Sequence, residues 1–292
     1  MRRGRFAAWL LAAALVWSAP LAAVAKPPIW TVRAPSGATA VLFGSIHLLP
    51  PGLDWRPPAL DAAVAAADEI WFELPINADS DKLANAASAK RGALPRDRHL
   101  LMLLTPDEAV RLRRAAAMLD CAPDALDRMQ PWMAELTLSV ADDTRSGGTA
   151  FNGVESQMQA ITPLTVQRRA FETAEQQIGF LAGAPFKDQL ASLAWTLHEI
   201  EDDPASYRRV VDEWVAGDLP GLQRDAIDPL LQVSPALYQR LLTDRNRRWA
   251  RALKARLKHP GHIVVVVGVG HMIGPEGVPA LLRAQGFEVD GP

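Results

Sequence analysis

The sequence predicts an α/β fold: a central, largely parallel sheet flanked by helices, opened by an N-terminal β-hairpin and carrying a large central helical cap. Three observations predict it. The run His262-Ile263-Val264-Val265-Val266-Val267 is β-branched and uncharged after its first residue, the composition of a parallel strand buried on both faces. Two apolar segments, Ile29 to Ala34 and Thr39 to Gly44, flank Pro35-Ser36-Gly37 and read as a hairpin. Between these two ends lies a long stretch in which apolar residues recur at helical spacing.

The bulk numbers agree with a folded chain. It has 292 residues, 49% of them hydrophobic and 22% charged, which sets it apart from disordered and fibrous sequences. Lys and Arg number 31 against 33 Asp and Glu, with no dense basic stripe, so nucleic acid is excluded as a partner. Arg2, Arg3 and Arg5 precede an apolar run from Phe6 to Trp17, and Ala23-Val24-Ala25 supplies a small-x-small cleavage pattern. Residues 1–25 therefore read as a signal peptide, and the mature protein is expected to be periplasmic or secreted. No later segment is apolar for the roughly 18 residues a membrane-crossing helix needs, so no transmembrane span is expected after cleavage. Cys121 is the single cysteine, which excludes an intramolecular disulfide and a thiolate-rich zinc site; it reads as a buried or loop thiol.

Residues 26–292 are read as one α/β domain with a helical insertion over about 100–245. After the hairpin, Pro50-Pro51-Gly52 marks a loop, and Pro57-Pro58 starts a helix to about Asp68 with Leu60, Val64 and Ala67 on one face. Glu69 to Leu74 is a short buried strand stopped by Pro75. Thr105 and Glu108 form a capping-box pattern ahead of Leu112, Ala116 and Leu119. Pro131 starts another helix, expected to end near a flexible 142–149 stretch. A short helix over Gly153 to Ile161 and a weak strand over Thr165 to Phe171 follow. From Thr173 to Leu242 the pattern is helical, with breaks expected near Gly183-Ala184-Pro185, Asp203-Pro204, Pro220-Gly221 and Pro235. Arg247 to Lys258 reads as a basic helix, Pro275 to Ala284 as a short one, and Phe287-Glu288-Val289 as the final strand.

Two segments share one pattern. Gly44-Ser45-Ile46-His47 and Gly268-Val269-Gly270-His271 are each Gly-x-x-His, and each leaves an apolar strand. Ligands of open α/β sheets gather outside the C-terminal ends of parallel strands. A histidine three residues beyond a glycine turn can point its imidazole into that crevice, to ligate a metal or transfer a proton. Glu73 leaves the strand around Ile70-Trp71-Phe72 in the same way, where a carboxylate is costly unless paired or used. Two imidazoles and a carboxylate suit a divalent Zn, Mn, Co or Fe ion. They do not follow His-Glu-x-x-His, so the zincin pattern is absent. Glu172 is a further candidate carboxylate. Arg245 and Asn246, placed just before the basic helix, are candidates for holding a substrate carboxylate or oxyanion. Ile273 stands where a dinucleotide fingerprint needs its third glycine, and no serine sits in Gly-x-Ser-x-Gly. His99, His198, His259 and His262 have no such context and read as surface or packing residues.

Taken together these segments resemble the TraB/GumN family. The similarity runs through Ala40-Val41-Leu42-Phe43-Gly44-Ser45-Ile46-His47-Leu48-Leu49-Pro50, Trp55 to Leu60 and Ala67 to Glu73. It continues through Phe151-Asn152-Gly153-Val154-Glu155, Phe171-Glu172-Thr173 and Arg245-Asn246-Arg247-Arg248-Trp249, and closes with Val266 to Gly274. That family is related to a group with haem-associated iron-uptake lipoproteins and erythromycin esterases, and resembles the Wnt-cleaving metalloproteases of animals. The resemblance implies paired Gly-x-x-His motifs and an acidic residue assembled around a divalent metal, here His47, Glu73 and His271, with Glu172, Arg245 and Asn246 in support. This chain departs from the family at Arg168-Arg169-Ala170-Phe171, where the family is more apolar, and at Glu155, where Asp is common.

The expected function is an exported metal-dependent hydrolase acting on a peptide or small-molecule substrate. Its catalytic residues would be His47, Glu73, Glu172, Arg245 and His271, with Arg245 and Asn246 touching substrate. One alternative is a non-catalytic periplasmic protein that binds haem, metal or another small ligand. The other is an envelope interaction protein with a relict site.

Overall fold

Strands β1 (Ile29–Arg33) and β2 (Thr39–Ser45) form the antiparallel hairpin, with Val32 opposite Ala40 and Trp30 opposite Leu42. These strands belong to a computed structural model that describes residues 25–292. The signal-peptide expectation falls, apart from its final residue, outside the described residues. Four more strands complete one sheet: β3 (Glu69–Phe72), β4 (Gln167–Ala170), β5 (His262–Gly268) and β6 (Glu288–Asp290). Their order is β4-β3-β5-β2-β1-β6. Pairings β2–β5, β5–β3 and β3–β4 are parallel, while β1 runs antiparallel to both its neighbours. The expected α/β architecture, with a hairpin at its start and a helical cap, is the one observed.

Strand β5 is central because its side chains are apolar on both faces: Ile263 to Val267 are all buried. Around it the core gathers Leu42, Phe43, Ile70 and Phe72 with Trp55, Trp214 and Trp249 from flanking segments. Phe43, Trp55 and Trp214 pack at centroid separations of 5.6–6.1 Å. The Trp214 indole N–H donates to the Gly44 carbonyl at 2.8 Å, tying the helix Ser206–Ala216 to the exit of β2. A second core lies in the cap, where Leu112, Ala116, Leu138, Leu193 and Leu197 meet between helices Pro106–Met118, Pro131–Arg145 and Phe186–Asp202. The cap thus has its own hydrophobic interior, as three amphipathic helices packed on one another require.

Several boundaries differ from expectation, each for a local reason. The capping box at Thr105 and Glu108 is present and opens Pro106–Met118 as the pattern predicts. The helix from Pro58 stops at Ala65, and β3 ends at Phe72, leaving Glu73 one residue past the ladder. The helix from Pro131 runs on to Arg145, because Asp142 is buried against the Arg145 guanidinium at 2.9 Å instead of lying in a flexible stretch. Pro220 begins a helical turn (Leu219–Leu222) where a break was expected: Asp218 caps it, and proline is tolerated in a first turn. The interruption falls three residues earlier, at Gly217-Asp218. The basic helix begins at Asp244, so Arg245 and Asn246 lie inside it and not before it; Arg245 is buried there by pairing with carboxylates from the sheet. A helix over Ala78–Arg91, capped by Asn77, carries small alanines and serines in place of an apolar stripe and gave no periodic signal.

Candidate active site

Parallel strands place their C-terminal ends on one edge, and β2, β5, β3 and β4 deliver four segments there. Each chain then turns off the sheet with a chemically active side chain close behind: His47 after β2, His271 after β5, Glu73 after β3 and Glu172 after β4. The ladder continues just far enough to set the last two beside each other, since the Glu172 N–H donates to the Glu73 carbonyl at 3.0 Å.

Arg245 is the hub. Its Nη2 donates to Glu73 Oε2 at 2.6 Å and to Glu172 Oε2 at 2.8 Å, and its Nε donates to Glu172 Oε1 at 3.0 Å. Its Nη1 donates to the Leu241 carbonyl and to His271 Nε2, each at 3.0 Å. All five guanidinium hydrogens therefore have acceptors inside the protein. The plane also lies over the Trp249 ring at 4.8 Å, a cation–π contact. Glu172 is held further by the Trp249 indole N–H at 3.1 Å and by Arg248.

His271 is buried and fixed from both sides. Its Nδ1 lies 2.6 Å from Asn246 Oδ1, and the Asn246 amide in turn donates to the Glu276 carbonyl at 2.9 Å. An amide oxygen can only accept, so Nδ1 carries the proton and Nε2 presents its lone pair to Arg245. Burial drops the His271 pKa to about 3, opposed by Glu73 and assisted by Arg245, so the ring is neutral at pH 7. Burial alone would raise Glu73. The imidazole of His271, the guanidinium of Arg245, the imidazole of His47 and the Gly268 amide act the other way and take it to about 2. With His271 neutral at pH 7, Arg245 and His47 carry that effect, and Glu73 stays ionised.

His47 is different: its side chain is 58% exposed on the cleft wall. Its Nδ1 donates to Glu155 Oε1 at 2.9 Å, and that carboxylate raises its pKa above the usual histidine value. Glu155 also accepts a short hydrogen bond from Ser45. The helix Val154–Ile161 brings Glu155 here because its N-terminus is pinned to the loop after β2, with the Val154 N–H donating to the Ile46 carbonyl at 3.1 Å. Gly153 makes this approach possible, since a Cβ there would sit 1.9 Å from the His47 carbonyl oxygen.

The pieces converge at Gly268. Its N–H donates to Glu73 Oε1 at 2.8 Å. A Cβ on Gly268 would meet Glu73 Oε1 at 3.2 Å and His47 Nε2 at 3.5 Å, so this glycine lies between the two groups. His271 Nε2 is 3.9 Å from Glu73 Oε1. His47 and Glu73 share a cavity of about 210 Å³ with Glu155 and Gln177, and Gln177 donates to Glu73 at 3.3 Å. On the other side of His47, a cavity of about 490 Å³ extends from Gly268-Val269-Gly270 to Glu135, Trp195 and Glu199 of the cap.

The structure therefore brings His47, Glu73, Glu172, Arg245, Asn246 and His271 into one cluster. Sequence reasoning gave Glu155 no role and overlooked Gln177; the signal for Glu155 was its place in the first turn of a helix that follows Gly153. Among the described residues, no three His, Cys, Asp or Glu side chains form a group that could hold a metal ion in this arrangement.

A model of the TraB/PrgY/gumN family matches residues 28–291, nearly all of the described chain. The chain belongs to that family. Relatives carry the same extent of likeness. The protein YbaP is 25% identical over 257 residues in both Shigella flexneri and Escherichia coli strain K12, a match covering 88% of this chain and 92% of YbaP. Metalloprotease TIKI2 of Danio rerio is 26% identical over 315 residues, covering 90% of this chain but only 60% of TIKI2. No solved structure matches. Among the described residues, no helix is long and apolar enough to cross a membrane.

Proposed function

We propose that this TraB/PrgY/gumN-family chain is an exported metal-dependent hydrolase that cleaves a carbonyl substrate, a peptide among the candidates, at the Gly268 turn. The observation that carries the reading is the meeting of His47 and Glu73 around Gly268, with His271 Nε2 3.9 Å from the Glu73 carboxylate. The likeness to a protein named as a metalloprotease supports it.

The donor chemistry fits a divalent ion. Each imidazole has its Nδ1 hydrogen-bonded to an acceptor, Glu155 for His47 and Asn246 for His271, so Nε2 would be the ligating atom, in His47 only after the ion displaces its proton. His47, Glu73 and His271 would hold Zn, Mn, Co or Fe, and a bound ion would polarise the carbonyl and acidify a water. Loading requires Arg245 to release His271 Nε2, which it engages at 3.0 Å. The ionised Glu73 carboxylate is the group available to accept a proton from the attacking water. Glu172 keeps Arg245 in place, and a substrate carboxylate or oxyanion would reach Arg245 or Asn246 by displacing one of their present partners.

The test uses purified protein spanning residues 26–292. Its metal content is measured after supplementation with each of the four ions, alongside cleavage of a mixed peptide library. The reading expects metal-stimulated cleavage that Glu73→Gln and His271→Ala remove, with less metal retained. Cleavage by Glu73→Gln at the unsubstituted rate, or no cleavage with any of the four ions, overturns it.

A further inference from the structure

The helix Ser206–Ala216 holds both ends of the segment that carries His47. The Trp214 indole N–H donates to the Gly44 carbonyl at 2.8 Å, and the Tyr207 hydroxyl donates to the Leu48 carbonyl at 3.2 Å. Trp214 and Tyr207 lie about two turns apart on one face of the helix. Whatever fixes this helix therefore fixes Gly44-Ser45-Ile46-His47.

The C-terminus of the helix is closed from two directions. Gly217, at φ 71, ends it in a Schellman arrangement: the Asp218 N–H donates to the Glu213 carbonyl at 2.9 Å and the Gly217 N–H to the Trp214 carbonyl at 3.1 Å. The next carbonyl, that of Val215, finds its donor outside the helix, in the Lys26 N–H at 2.7 Å. This approach needs a glycine, since a Cβ on Gly217 would stand 2.5 Å from the Lys26 carbonyl oxygen. From Lys26 the chain passes through Pro27 and Pro28, both buried and each with φ fixed by its ring. The Pro28 carbonyl then accepts from the Gly44 N–H at 3.2 Å. Val215, Lys26, Pro28 and Gly44 thus form a stiff series of contacts from the helix end to the first Gly-x-x-His.

The Lys26 nitrogen is also the atom that removal of residues 1–25 would free. In the uncleaved chain it is a neutral amide with one hydrogen. After cleavage it is an ammonium with three, charged at neutral pH. Without moving, it would lie against the end of a helix where the macrodipole places partial negative charge. We propose that the α-ammonium of Lys26, formed by cleavage after Ala25, caps the C-terminus of the helix Ser206–Ala216 and acts as a positioning group for His47. Its charge strengthens the bond to Val215, and the two buried prolines carry that constraint to Gly44. Removal of the leader then does more than release the chain: it completes the support of one wall of the cleft.

The proposal rests on cleavage after Ala25; its effect on turnover rests also on the hydrolase reading, and the anchoring does not. The mass of the exported protein should give a chain beginning at Lys26. Two purified forms are then compared, residues 26–292 and residues 25–292, the second keeping the Lys26 nitrogen in a peptide bond. The form beginning at Lys26 should melt about 1–4 °C higher. That difference should fall by about half or more in about 1 M salt. Hydrogen exchange at the Gly44 amide should be about two- to fivefold slower in the same form. The Phe171 amide, which donates to the Phe72 carbonyl at the far side of the sheet, should exchange equally in both. The His47 Cε1–H resonance should differ between the two forms, and peptide cleavage should show about a two- to fivefold higher kcat with KM unchanged for the form beginning at Lys26. Equal melting and equal Gly44 exchange overturn the anchor, as does an exported chain that begins elsewhere. Differences in melting and exchange without peptide cleavage by either form sink the hydrolase and leave the anchor. Peptide cleavage at the same kcat in both forms, alongside equal melting and exchange, does the reverse.

Discussion

Arg245 Nη2 and Glu73 Oε2 meet at 2.6 Å with both side chains 8% exposed, and the same nitrogen also donates to Glu172. One cation thus faces two carboxylates in the interior, next to a neutral imidazole. Removing one member of a buried ion pair leaves its partner charged and dry. Arg245→Ala is expected to lower stability by about 3–5 kcal/mol, read from urea unfolding. Arg245→Lys should recover only part, since an ammonium cannot serve both carboxylates with the same planar fork. A loss below about 1 kcal/mol for the alanine variant would show that the cluster is open to water.

Glu155→Gln removes the carboxylate that raises the His47 pKa but preserves an acceptor for Nδ1. The His47 Cε1–H resonance should then titrate lower by about one pH unit or more. Peptide cleavage should fall about 10–100-fold, the range typical when a partner that orients a histidine is lost. An unchanged titration midpoint would mean that solvent screens this pair completely.

Gly268→Ala separates architecture from chemistry. Gly268 has φ −47 and ψ 135, which alanine adopts freely. Its new methyl would stand 3.2 Å from Glu73 Oε1 and 3.5 Å from His47 Nε2. The variant is expected to unfold within about 1 kcal/mol of the parent and to lose cleavage and metal uptake together. Full activity in the folded variant contradicts a reaction at this turn.

Stability should fall as the pH rises from acid to neutral. Burial raises the carboxyls of Glu135 and Asp143 to about 7 each, the latter with help from Asp142 and Glu199. A carboxyl whose folded value exceeds its unfolded value favours folding below the unfolded value, and that contribution is lost as pH rises through the folded one. Thermal unfolding midpoints should therefore decline between about pH 4 and pH 7 on account of these two groups. Glu135→Gln should flatten the slope, by about 1–3 kcal/mol once the pH has passed 7. An identical slope in Glu135→Gln and in the parent would place the titration elsewhere.

The fold was legible where local chemistry decides structure. The hairpin at Pro35-Ser36-Gly37, the Thr105–Glu108 capping box and the β-branched β5 each carry their signal within a few residues. Periodicity failed for Ala78–Arg91, whose alanines make no stripe, and at Pro220, where a helix-starting proline looks like a breaker. For the cluster, the strand exits placed His47, Glu73 and His271 on one sheet edge because parallel strands must end together. Burial of Arg245 in the first turn of its helix was not legible, since its partners Glu73 and Glu172 lie 172 and 73 residues away in sequence. Glu155 and Gln177 were hidden for the same reason: they meet His47 and Glu73 only across separations of 108 and 104 residues.

Strand β5 lies between β3 and β2, although it follows both by about two hundred residues in the chain. During synthesis, β2 and β3 are made long before the segment that must separate them. Until that segment emerges, each presents an open edge with nothing to pair against, and the second Gly-x-x-His does not yet exist. A nascent or prematurely terminated chain thus has neither a closed sheet nor a full complement of reactive groups.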